Sequence, residues 1–255
     1  MKISRIMPWV FVAIGAVYFF VPLLSTMEFS MRMRRGTYSF DAYREVFGDP
    51  RFQQSFTFSV ILALATIVVG IVLVVPAAYA VRLRLPKLRP VVEMLTLMPL
   101  VVPAIVLVFG YIRLYGSDSI LPLTDGDFST DVLLVLAYVA LALPYLYRAI
   151  DTGLASLDLR TLTEAAESLG AGPVTILVKV VVPNLRTALV SGAFLTFAIV
   201  IGEFTVASLL DRPAFGPYLQ LLGANRAYEP AALSILAFGL TWGAMAAINL
   251  VGKRR

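Results

Sequence analysis

The chain has 255 residues, 59% of them hydrophobic and 15% charged, and carries a net charge of +5, with a mean hydropathy of +0.85 and a pI near 9.6. That balance excludes an ordinary soluble domain and describes a multi-pass membrane protein. Without Cys or His the chain holds no disulfide, no thiolate or imidazole metal site and no imidazole acid–base pair. Its basic residues sit at the ends of apolar runs rather than in one patch, which argues for membrane orientation and against nucleic acid.

Lys2 and Arg5 precede a first apolar run that lacks a small-residue cleavage site around Leu23-Leu24-Ser25-Thr26, so it reads as a retained span over about 6–27. Arg32, Arg34 and Arg35 then open a polar stretch, and the aromatics of Phe40–Phe47 have the spacing of a short interfacial helix. A second span, about 56–81, contains Gly70 and Pro76 and ends in small residues suited to close helix packing. Arg82, Arg84, Lys87 and Arg89 crowd the next loop, the pattern of a cytoplasmic connection.

The third span, about 91–113, holds Pro99 and Pro103, each of which removes an amide donor and frees carbonyls for neighbouring protein or water. These two prolines are candidates for lining a translocation path, or simple kinks. An acidic loop with Asp118, Asp125 and Asp127 follows and reads as an outer, solvated segment. A fourth span, about 131–150, contains Pro144. A fifth, about 185–210, carries Glu203, whose burial in hydrocarbon demands compensation, and a sixth covers about 231–251. Six spans with both ends in the cytoplasm is the consistent count, although Arg32, Arg34, Arg35, Arg44 and Arg51 fall on the outer side. Glu203 fits two roles, a group on the solute path or a satisfied packing residue.

Between the fourth and fifth spans lies a polar segment, 151–183. Thr161-Leu162-Thr163-Glu164 has the form of a capping box, which predicts a helix starting there. Leu162, Ala165, Ala166 and Leu169 follow helical spacing and share a face that a partner's surface can approach. Gly170 is placed to end the helix in the left-handed conformation, and Pro173 suits the first position of a second one.

Glu164-Ala165-Ala166, three residues, Gly170, nine residues, Val180, any residue, Val182 and Pro183 resemble the EAA loop of permease subunits of ATP-binding-cassette (ABC) importers. The resemblance covers nearly the whole chain and implies an all-α type I importer permease of about six transmembrane helices, a single domain over 1–255, in the bacterial inner membrane. It implies that Leu162, Glu164, Ala165, Ala166, Leu169, Gly170, Pro173, Val180, Val182 and Pro183 dock on the ATPase. Its implied partners are two ATPase subunits, a second permease subunit, identical or not, a solute-binding protein and the lipid membrane, with no nucleic acid. The chain has no G-x-x-x-x-G-K-[ST] phosphate loop, so ATP and magnesium belong to the partner subunit and this chain holds no cofactor and is no enzyme.

Ile201-Gly202-Glu203-Phe204-Thr205 resembles a Gly-Glu-Phe segment of the polyamine, iron(III) and phosphonate branches, with spermidine or putrescine the first expectation for the solute and other small solutes next. The chain departs from the paired acids of the shorter polyamine permease. An ion-driven secondary transporter with Glu203 as its coupling acid is the rival reading.

Overall fold

The computed structural model describes residues 3–252, with side chains undescribed at 3–6, 240–241 and 244–252. Lys2 and the Arg5 side chain, which precede the first expected span, and Lys253, Arg254 and Arg255, which follow the sixth, lie outside that description. The described residues form helices and no strand: α1 (Ile3–Ser30), α2 (Asp41–Gly48), α3 (Pro50–Leu83), α4 (Arg89–Val101), α5 (Ala104–Tyr115), α6 (Asp127–Ala155), α7 (Leu159–Ser168), α8 (Pro173–Ile176), α9 (Val182–Asn184), α10 (Arg186–Gly202), α11 (Thr205–Leu209), α12 (Phe215–Asn225) and α13 (Tyr228–Gly252).

Among the described residues, α1, α3 and α6 are each long and apolar enough to cross a bilayer unaided. The 34 residues of α3 reach about 50 Å at ~1.5 Å per residue, well beyond the ~30 Å of hydrocarbon. Hydropathy marks only the apolar middle of such a helix, which is why the expected limits 56–81 and 131–150 fall short of α3 and α6. α6 continues to Ala155, so the inter-span loop begins after Ala155 and not at residue 151. Two further stretches are broken: α4 meets α5 at 96°, and the segment Pro173–Asn184 meets α10 at 80°. The expected fifth span over 185–210 is also interrupted, because α10 stops at Gly202 and Glu203 takes an extended conformation before α11 starts.

The chain divides into two compact units, residues 1–53 with 218–245, and 54–217 with 246–255. In the first unit, Phe29 stacks on Tyr228 with ring centroids 4.8 Å apart. The Ser30 and Tyr43 hydroxyls share a hydrogen bond of 2.7 Å, and the Tyr218 hydroxyl donates to Asp49. The outward side of α1 carries exposed Trp9, Phe11 and Tyr18, suited to lipid or a neighbouring subunit.

In the second unit α10 lies along α6. Gly153 permits the approach, since a Cβ there would come within 2.5 Å of the Ala188 Cβ. Two buried clusters hold this unit. One joins Leu62, Val108, Leu134, Tyr138, Val200 and Val206. The other joins the end of α3 (Val75, Ala78, Tyr79) and of α6 (Ile150, Leu154) to Leu159, Ala166, Ile176, Val181 and Leu185. That second cluster is the seat of the inter-span loop.

Candidate coupling surface and translocation groove

The loop after α6 is built from its first cap. Asp158, not Thr161, is the N-cap of α7: its carboxylate accepts the Thr161 amide at 3.3 Å and the Thr161 hydroxyl at 2.8 Å. The predicted box at Thr161–Glu164 does not form, because Glu164 lies in the second turn and accepts from Arg160, one turn back, at 2.8 Å. Those two bonds from Thr161, the hydroxyl first and then the amide, hold the Asp158 carboxyl below the usual range.

α7 does not present its four expected apolar residues together. Leu159, Thr163 and Ala166 are buried against the chain's own core, and the Thr163 hydroxyl meets that of Tyr79 at 3.0 Å. Ala166 therefore belongs to the packed side. Ala165 and Leu169 remain exposed, Leu169 at 88%, and Leu162 is half-buried. Gly170 has φ +80°, the left-handed turn that ends α7, and Pro173 occupies the start of α8. Val174 and Val178 are exposed beyond it. Val180 and Val182 are partly buried on either side of buried Val181, in a π-helical turn over Leu177–Val181 that runs into Pro183. The loop thus has a seated inner side, and Ala165, Leu169, Val174 and Val178 are exposed apolar residues on it.

Asp151, buried in the last turns of α6, accepts Arg82 at 2.9 Å and Arg89 at 3.3 Å. The end of α3 and the start of α4, which flank the basic loop, are therefore pinned to α6 by Arg82 and Arg89. Arg89 also pairs with Glu93. On the opposite end of the unit, Arg212 lies between Asp127 and Asp131 and over the Phe58 ring, 5.7 Å from its centroid. The acidic segment 118–131 is thus partly structural, with Asp125 accepting from Ser117 at 2.6 Å.

Glu203 sits in the break between α10 and α11. Its two carboxylate oxygens accept the amides of Val206 at 2.9 Å and Ala207 at 3.2 Å, so it caps α11. The carboxylate is half-buried and engaged within its own chain. Pro99 lies inside α4, and Pro103 starts α5 after extended Val102, so the pair produces the 96° break. Beside this break runs an open groove of about 780 Å³. It is lined by Leu97 and Leu100 of α4, Arg148 and Thr152 of α6, and Thr187 and Ser191 of α10. None of the three candidate pathway residues, Pro99, Pro103 and Glu203, is among its lining residues.

Residues 70–253 match the family model of the binding-protein-dependent transport system inner membrane component. The chain belongs to this family. The permease is 31% identical over 211 residues to the spermidine/putrescine transport system permease protein PotC of Haemophilus influenzae, covering 79% of this chain and 77% of that protein. It is 32% identical over 155 residues to a probable molybdenum ABC transporter permease of Haloferax volcanii, covering 60% of this chain and 57% of that one. The chain thus spans little more than half the length of that relative. Its fold matches a bacterial ABC transporter involved in import of the acidic polysaccharide alginate, with TM-score 0.73 and 11% identity over 99% of this chain and 96% of that chain. The permease is thus an inner membrane component of a binding-protein-dependent transport system.

Several residues that organise the permease carried no local sequence signal. Asp151 and its cations are separated by more than sixty residues of chain, and Arg212 meets acids more than eighty residues away. Asp158 is legible in sequence, since an Asp immediately before the apolar-periodic run that starts at Leu159 is an N-cap signal.

Proposed function

We propose that this chain forms half of the translocation pathway of a binding-protein-dependent importer, and that residues 156–185 dock on an ATPase subunit, with the exposed Ala165, Leu169, Val174 and Val178 entering its groove. The observation that carries this is the seated loop. Its inner side is fixed to α3 and α6 through Thr163, Leu159 and Ala166, while Leu169, Val174 and Val178 are left exposed. A helix laid into a hydrophobic groove takes its affinity from a few such anchors. ATP and magnesium act on the partner subunit, a second permease completes the pathway, and the loop and both chain ends face the cytoplasm of a bacterial inner membrane. Relatives carry names for both polyamine and molybdenum transport, so the solute class rests on this chain's own groove.

The test uses the absence of Cys. Ser168→Cys should react only from the cytoplasmic side and Ile120→Cys only from outside. Ala165→Glu should insert at normal levels, release the ATPase subunit on purification and abolish uptake. Wild-type ATPase stoichiometry and uptake in Ala165→Glu would remove the docking assignment.

A further inference from the structure

We propose that the groove beside Arg148 holds a small oxyanion, and that the transported solute is therefore an oxyanion rather than a polyamine; this rests on the permease reading. Arg148 projects from α6 into the groove and is exposed. Among the described residues no acidic side chain lies within ion-pair distance of Arg148, as is also true of Arg84, Arg113 and Arg186, but of these cations only Arg148 lines the groove. A lone cation in an apolar span is costly unless it faces an aqueous path or an anion. A guanidinium presents a planar fork of donors that matches the oxygens of an oxyanion.

The rest of the groove has the same preference. Thr152, Thr187 and Ser191 line it and make no side-chain hydrogen bond to the described residues, so their hydroxyls are free to donate. No carboxylate lines it. Asp151, the nearest acid along α6, is buried and saturated by Arg82 and Arg89. A polyammonium solute entering here would meet Arg148 as a like charge and find no anionic partner. An oxyanion would meet one cation and up to three hydroxyls, in a groove lined by the Pro99-bent end of α4, through Leu97 and Leu100. The same chemistry fits the phosphate of an anionic lipid headgroup, and the experiment separates the two sources.

The test introduces one thiol, Ser191→Cys, into the otherwise Cys-free chain, and uses the permease purified with its co-purifying subunits in phosphatidylcholine nanodiscs. Modification of this chain is followed with anionic and cationic methanethiosulfonates of similar size. The anionic reagent should react about tenfold faster than the cationic one, the low end of what a cleft lined by one sign of charge produces. That preference should fall to near unity in Arg148→Gln and survive in Arg148→Lys, which guards against a variant that merely fails to assemble. Millimolar molybdate or phosphate should slow modification, with spermidine without effect. Protection by spermidine, or equal reaction of the two reagents, overturns the proposal. So does protection that appears only when phosphatidylglycerol replaces phosphatidylcholine and never with soluble anions, because the groove then binds lipid. ATPase co-purification without anion protection would remove this inference and leave the permease reading standing, whereas anion protection without any ATPase subunit would do the reverse.

Discussion

The Tyr79 and Thr163 hydroxyls lie 3.0 Å apart, both residues are buried, and this bond joins the end of α3 to α7. It is a direct polar link between a membrane-crossing helix and the loop that we assign to the ATPase. Because the two groups are desolvated, removing one leaves the other short of a partner. Tyr79→Phe and Thr163→Val should each lower uptake more than ATP hydrolysis by the assembled complex. The double variant should cost less than the sum, with a coupling of about 1 kcal/mol between the two sites. Additive losses, or equal losses of hydrolysis and uptake, would show that this bond is structural only.

Asp151 gives a second measurement. It is nearly buried and faces two cations, so Asp151→Ala leaves both guanidiniums without their shared acid, a change of about 3 kcal/mol for a buried pair. The two arginines should rank differently. Arg82 is 22% exposed and Arg89 45%, so solvent screens Arg89 more and Arg89→Ala should be the milder change. Thermal unfolding in detergent, followed with all three variants, should order them Asp151, Arg82, Arg89. A more damaging Arg89→Ala would contradict the burial argument.

Local chemistry made part of this architecture legible. The turn at Gly170, the helix start at Pro173 and the break at Pro99 and Pro103 follow from what one residue's backbone permits, and neighbours in sequence suffice to see them. Apolar periodicity found the helical stripe of α7 but could not say which side of it meets the chain's own core. Ala166 is buried while Ala165, its immediate neighbour, is exposed, and only the position of Tyr79 and Ile176 decides between them. The cation clamps at Asp151 and Arg212 were invisible for the same reason, since their partners come from other helices.

The cap at Asp158 makes the start of α7 sensitive to acid. Its folded carboxyl titrates below the ordinary value because Thr161 donates to the charged form. A carboxyl depressed on folding contributes stability that is fully present above its unfolded pKa, near ~3.9, and is lost as pH falls through the folded value. Hydrogen exchange at the first turn of α7, taken relative to the intrinsic rate of an unprotected amide at each pH, should be unchanged from neutral pH down to about 5 and rise only below the ordinary carboxylate range. In Asp158→Asn the amide oxygen still accepts one bond, so the rise should be smaller and independent of pH. Faster exchange already at neutral pH on lowering to 6 would assign the effect to another group.

Glu203 separates geometry from charge. Both of its oxygens are taken by the Val206 and Ala207 amides, so its role in the fold is to start α11 after α10 has ended at Gly202. A cap needs an acceptor, not a full negative charge, although the helix N-terminus favours one. Glu203→Gln keeps one acceptor oxygen and should retain assembly and most uptake, whereas Glu203→Ala removes both and should cost about 1 kcal/mol of local stability. The measured pair is complex yield and solute uptake at matched expression. An ion-coupled carrier would behave differently: Gln cannot exchange a proton or bind a cation as a carboxylate does, so transport would vanish in Glu203→Gln with the complex intact. Uptake that persists in Gln and falls in Ala together with complex yield identifies Glu203 as the cap between two helices and leaves the driving force to the ATPase.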